Sequence, residues 1–307
     1  MKSRLILVIL SIAIVGSLET CNRRDQAKNY NDTYNSGTLQ FVSDESFSPI
    51  VDQEIYIFKH DNPEANPQVI YRSESSAVNL LLTDSVRFAF LSRDLTPQEK
   101  NALAQRNLPV TTSKFAADAI AIIVNQASAD TGITVGTIKK MLAGQAENNR
   151  SIVFDNPNSS LVRYLRELSG VQKLDAKNIY ALKTNKEVIR YVSEHPEAIG
   201  ITGFGWLDDP DKDYADAVKK VRILSVRDEN SKTAPGQYFQ PSQSTLFLKQ
   251  YPLQRSLYMV NCTGRKGLGA GLELFISGDK GQRIILRSGL LPAQIPERNM
   301  AIHSNKL

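Results

Sequence analysis

Four short stretches of this 307-residue chain put serine where a strand gives way to a helix. They are SDESFSP (Ser43 to Pro49), RSESSAV (Arg72 to Val78), LSRDLTP (Leu91 to Pro97) and DNPNSSLV (Asp155 to Val162). The chemistry on offer is anion binding by neutral donors. A helix start leaves backbone N–H groups unpaired and carries about half a positive charge, so it holds an anion without a lysine. Serine hydroxyls add donors that rotate to suit a ligand. One serine at a helix start is ordinary capping. DNPNSS exceeds that need, because one side chain suffices for a cap and this loop offers five polar ones.

Other chemistries find less support. No serine lies in a G-x-S-x-G elbow. His195, in SEHPE at a helix end, suits a charge that complements the helix dipole. Asp208, Asp209, Asp211 and Asp213 in WLDDPDKD read as a solvated turn, without the closing glutamate of an EF-hand. GLGAGLELF lacks the preceding strand and downstream acid of a dinucleotide loop. Phe204 and Trp206 in GFGW suit core or lobe-edge packing. His60, His195 and His303 lie far apart and no CxxC pair exists, which argues against zinc. No catalytic residue, metal or cofactor is expected.

The elements that must position the four loops follow from periodicity. GTLQFVS, PQVIYRS and SVRFAFLS read as strands, and a helix follows each. Ser48 is expected to cap the first helix, with Pro49 at its first position and Val51, Ile55 and Phe58 on one face. TPQE (Thr96 to Glu99) and TNKE (Thr184 to Glu187) read as capping boxes. AADAIAIIVNQ (Ala116 to Gln126) suits a buried strand that passes between lobes. This alternation gives an α/β chain of two lobes with largely parallel sheets and a cleft between them. Lobe 1 is expected over 37–115 plus 227–297, lobe 2 over 116–226, and a tail over 298–307.

Residues 1–20 read as a signal peptide, because MKSR precedes the apolar core LILVILSIAIV, which is shorter than a membrane span. GSLETC resembles the lipobox of bacterial lipoproteins, which implies acylation of Cys21 and a membrane anchor, with 21–36 as a polar tether. Cys262 then has no disulfide partner and reads as a small buried apolar residue. Apolar residues at 41% and charged ones at 22% fit a globular domain, and a net charge of +5 is too mild to imply nucleic acid.

The same loops, in this order, resemble the phosphate-binding proteins of ABC-type phosphate uptake, within the type 2 periplasmic binding protein fold. ESFSPIV is similar to the family's first anion loop, which implies Ser46 and Phe47 as ligand contacts. SESSAV implies Ser75, and FAFLSRDLTPQE implies Ser92 and Arg93. AIGITGFGW resembles the glycine–aromatic strand of the second lobe. LELFISGDKGQRIILRSGLLPAQ resembles the C-terminal helix and its closing turn, the most specific match.

The resemblance implies an extracytoplasmic protein that captures phosphate, or a similar oxyanion, for permease subunits of an ABC transporter. Ser46, Ser75, Ser92, Ser159 and Ser160 would be its hydroxyl donors, Arg93 its main cation, and Asp155 would position its own loop. The chain also departs from the pattern. Val153 stands where members carry an arginine, Pro157 to Ser160 replace glycine-serine-glycine-threonine, and Ser92 aligns with an aspartate that accepts the phosphate proton in some members. Arg163, one helical turn on, is a candidate substitute. The missing arginine favours a second reading: a sensory or interaction module of the same fold with another ligand or none.

Overall fold

The structure, a computed structural model, describes residues 32–145 and 150–296. The signal peptide, Cys21, most of the tether and the tail lie outside the described residues. Among the described residues no helix is long and apolar enough to cross a membrane.

The chain opens with β1 (Gly37–Asp44), a single 3-10 turn (Glu45–Phe47) and α1 (Ser48–Asp61). Then come β2 (Ala65–Arg72), α2 (Glu74–Leu82), β3 (Phe88–Leu91) and α3 (Pro97–Ala104). The long β4 (Thr111–Asn125) leads to β5 (Gly132–Thr134), α4 (Val135–Leu142), β6 (Ile152–Phe154) and α5 (Ser160–Ser169). After β7 (Ile179–Ala181) and α6 (Asn185–Glu194) follow β8 (Ile199–Gly203), β9 (Val221–Ile223) and β10 (Ser225–Arg227). β11 (Gln254–Asn261), α7 (Leu268–Ser277), α8 (Asp279–Arg287) and β12 (Leu291–Pro292) complete the described chain.

One continuous sheet runs in the order β2-β1-β3-β11-β4-β8-β6-β7. β1 pairs in parallel with β2 and β3, and β6 in parallel with β7 and β8. β4 joins the two halves. Its first part, to Ala119, lies antiparallel to β11, and Ile120 to Val124 lie antiparallel to β8. Every β4 residue from Phe115 onward is buried, as both faces of the strand are covered.

Period-2 alternation sorts the side chains of the first half onto two faces. Phe41, Phe88 and Phe90 point to one core with Phe115, in edge-to-face contacts at 5.4–5.9 Å. Val42, Ala89 and Leu91 point to the other, against Ala77, Val78 and Leu81 of α2. The second half has its own core, which holds Leu161, Val162 and Leu165 of α5 and Val188, Ile189 and Val192 of α6. We call the halves lobe 1 and lobe 2.

Two expectations change. Ser48 does not cap α1: it already has helical φ and ψ (−54° and −38°), Phe47 is the N-cap residue, and no side chain caps. The Thr184–Glu187 box is half formed: Thr184 Oγ1 accepts the Glu187 N–H, but the Glu187 carboxylate accepts the Lys183 N–H in place of the N-cap's own. Thr96 and Glu99 do form the reciprocal capping box, and Cys262 is a buried free thiol that burial pushes up to about 11.

Candidate functional site

The loops after β1, β2 and β3 leave the carboxyl ends of lobe 1 strands, and the loop after β6 leaves that of a lobe 2 strand. This is where open α/β sheets bind ligands. The four loops meet at the seam between the lobes.

Ser46 is buried, and its N–H donates to Asp44 Oδ1 at 3.0 Å within its own turn. Its hydroxyl crosses to lobe 2 and donates to Asp155 Oδ2 at 3.3 Å. Ser159 is the N-cap of α5, accepting the Val162 N–H at 3.2 Å while donating to Asp155 Oδ1 at 2.6 Å. It therefore caps the helix and holds the loop acid together. The Ser160 N–H, at the helix start, donates across the seam to Asp44 Oδ2 at 3.2 Å. Ser75 is exposed at the rim, with its hydroxyl 3.4 Å from the Asn158 carbonyl.

Ser92 is buried and donates to Glu74 Oε2 at 2.6 Å. It also accepts from Arg163 Nη2 at 2.6 Å, so Arg163 does reach over from α5 into lobe 1. The same guanidinium meets Glu74 Oε1 through Nε at 2.5 Å and Oε2 through Nη2 at 3.2 Å. Arg93 turns aside: both its Nη groups bind Glu99 at 2.8 Å, and its Nε is 3.6 Å from Glu74. Phe47 is buried, with the Arg255 guanidinium 4.7 Å above its ring.

Several residues of this seam escaped sequence reasoning: Asp44, Glu45, Glu74, Asp118, Asn185 and Arg255. Arg255 Nη1 donates to Ser160 Oγ at 2.9 Å, while Nε and Nη2 bind Asp118 Oδ2 at 3.1 and 2.9 Å. Two signals were available. Asp118 interrupts the apolar run AADAIAIIVN, and Arg255 stands two and four residues before the buried Leu257 and Met259, on the same strand face. Thr202 donates to Asn185 Oδ1 at 2.8 Å, which turns the amide N–H₂ toward Asp155 Oδ2 at 3.2 Å and Glu45 Oε2 at 3.4 Å.

Burial dominates the titration of these acids. It pushes Asp155 up to about 6, against the Ser159 hydroxyl and with help from Asp44. It pushes Glu45 up to about 7, with repulsion from Asp155 and Asp44. Asp44 is also raised by burial, opposed by its bond to Ser160. Burial would raise Glu74 too, but the Arg163 guanidinium, Ser92 and Arg93 together outweigh it and hold that carboxyl below its usual range. Among the described residues no cluster of His, Cys, Asp and Glu is arranged to hold a metal ion.

Two α/β lobes sharing one strand, with a donor-lined seam at the strands' carboxyl ends, define the architecture of a type 2 solute-binding protein. The chain belongs to the PBP superfamily, whose domain model PBP_like_2 matches residues 29–277. The phosphate-binding protein PstS of Borreliella burgdorferi is 24% identical over 93% of this chain and 98% of its own. A putative phosphate ABC transporter substrate-binding protein with bound phosphate, from Clostridium perfringens, superposes with a TM-score of 0.70 at 18% identity, over 84% of this chain and 100% of that one. An ABC-type phosphate transport receptor from Vibrio cholerae gives a TM-score of 0.64 at 19% identity, over 83% and 100%. At these identities the structural likeness shows the fold.

Proposed function

We propose that this chain is an extracytoplasmic solute-binding protein that captures inorganic phosphate, or a related oxyanion, between its lobes and delivers it to an ABC permease. The observation that carries this reading is the meeting of Ser46, Ser92, Ser159 and Ser160 with Arg163 and Arg255 at one seam. The phosphate-binding relative aligned over nearly the whole chain supports the choice of anion.

In this reading the α5 start and Ser160 take one ligand oxygen, and Ser92 with Arg163 take a second. Ser46 and Phe47 wall the site, Ser75 stands at its mouth, and Asp155 holds its own loop. Arg255 and Arg163 supply the positive charge that the sequence pattern sought at 153, and Arg93 braces the Glu74 side. A dehydrated anion gains more from fixed dipoles and charged donors in such a cleft than it would in water. Contacts to both lobes then favour the closed form. The role is binding, and no catalytic step is assigned.

Cleavage of residues 1–20 and acylation of Cys21 would hold the protein on the outer face of a membrane, with the polar segment to residue 36 as a tether. Metabolic labelling with a fatty acid, abolished in Cys21→Ala, checks the anchor. Isothermal titration with phosphate, sulfate, phosphonate and molybdate checks the ligand. Micromolar or tighter phosphate binding, lost in Ser160→Leu, is the expected outcome. Failure to bind any of the four anions would sink the reading.

A further inference from the structure

The donors at the seam are already engaged by the protein's own acids, and two of those acids come from the opposite lobe. Asp44 of lobe 1 reaches the first N–H of α5 at 3.2 Å. Glu74 of lobe 1 lies in the fork of Arg163 at 2.5 and 3.2 Å and accepts Ser92 at 2.6 Å. A carboxylate and an oxyanion want the same things, a guanidinium fork and a helix N-terminus. The two acids also sit beside the hydroxyls in the sequence: Asp44 two residues before Ser46, Glu74 one before Ser75.

The charge around them is unbalanced. Asp44, Glu74, Asp118 and Asp155 face or flank the seam, against Arg163 and Arg255, while Arg93 is held by Glu99. A further anion entering beside Asp44 and Glu74 meets like charge at close range, which low dielectric magnifies. Entry is therefore favoured when an acid leaves the donors that the ligand takes.

We propose that Asp44 and Glu74 are built-in anions: they latch lobe 1 to lobe 2 through Ser160 and Arg163, and an incoming oxyanion exchanges with them. The latch rests on the inter-lobe bonds alone, whereas the exchange rests on the oxyanion reading given above. Apparent affinity is then set by competition with an internal ligand, and weakening that ligand tightens binding. A purely stabilising role for the two acids predicts the opposite, since their loss would loosen the site.

The chain carries its own reporter. Trp206 is the sole tryptophan, is buried, and donates from Nε1 to the Ser46 carbonyl across the seam at 3.0 Å. Glu74→Gln and Asp44→Asn keep shape and remove charge, and circular dichroism confirms which of them folds. Without phosphate, each folded variant is expected to show a red-shifted Trp206 emission and about twofold greater acrylamide quenching than the wild type, reversed by phosphate. Its phosphate affinity by isothermal titration is expected to rise about tenfold, the effect of removing roughly 1.4 kcal/mol of competition. Unchanged emission in both variants overturns the latch, and unchanged or weaker phosphate binding overturns the exchange. If neither wild type nor variants bind phosphate, the oxyanion reading and the exchange fall together, and the tryptophan signal alone decides the latch.

Discussion

Arg255 and Asp118 are a register pair across β11 and β4, and the guanidinium holds one carboxylate oxygen through both Nε and Nη2, at 3.1 and 2.9 Å. Both side chains are buried where lobe 1 meets lobe 2. The pair also aims Arg255 Nη1 at Ser160, so one ion pair links the sheet to the start of α5.

Breaking this pair from one side leaves a buried charge without its partner. Arg255→Met or Asp118→Asn is expected to cost about 3–5 kcal/mol in urea unfolding. The double variant Arg255→Met/Asp118→Leu should recover much of that loss, since apolar packing often replaces a buried pair at little cost. A loss in the double variant equal to the sum of the singles would count against the coupling.

The seam acids give stability a pH dependence whose sign follows from their burial. Asp155 is raised from 3.8 to about 6 and Glu45 from 4.5 to about 7. Between pH 4 and 7 the native state thus holds more protons than the unfolded chain, and these two groups lose their stabilising effect as pH rises through that window. Glu74 acts in the opposite sense, because its lowered value gives stability that disappears on acidification. In Asp155→Asn the thermal midpoint should fall less between pH 4 and 6 than in the wild type.

Glu54 supplies a third test, away from the seam. It lies in α1 among the buried Ile50, Val51, Ile55 and Phe58, and neither carboxylate oxygen has a hydrogen-bond partner among the described residues. Burial pushes it up from 4.5 to about 9. Stability from this neutral carboxyl is full below pH 4.5 and lost progressively as pH rises to 9. Glu54→Leu is expected to raise the thermal midpoint at pH 8 and flatten its decline; a lower midpoint at pH 8 would refute the account.

Ser159 and Ser160 are neighbours with separable roles. Ser159→Ala removes an N-cap and should cost about 1 kcal/mol in chemical unfolding. Ser160→Ala keeps the cap and the backbone N–H but leaves the buried Arg255 Nη1 without its acceptor, so it should cost more, about 1.5–3 kcal/mol, and weaken phosphate in titration. Equal effects of the two substitutions on both readouts would contradict this division.

The alternation of strand and helix, the Thr96–Glu99 box and the hydroxyl-rich strand ends were legible in the sequence, because each is settled within a few residues of chain. The opposite-facing Phe88/Ala89/Phe90/Leu91 run follows from strand pleat in the same way. The partners of the four loops were not legible. Asp44 to Ser160 spans 116 positions, Ser46 to Asp155 spans 109, and Glu74 to Arg163 spans 89. Only the docking of the lobes brings them within bonding range. It also turned Arg163 into the seam and left Arg93 on Glu99, because a long side chain goes to whichever carboxylate packing places within reach. Local chemistry thus fixed which groups could bind an anion, and tertiary packing decided which acids hold those groups.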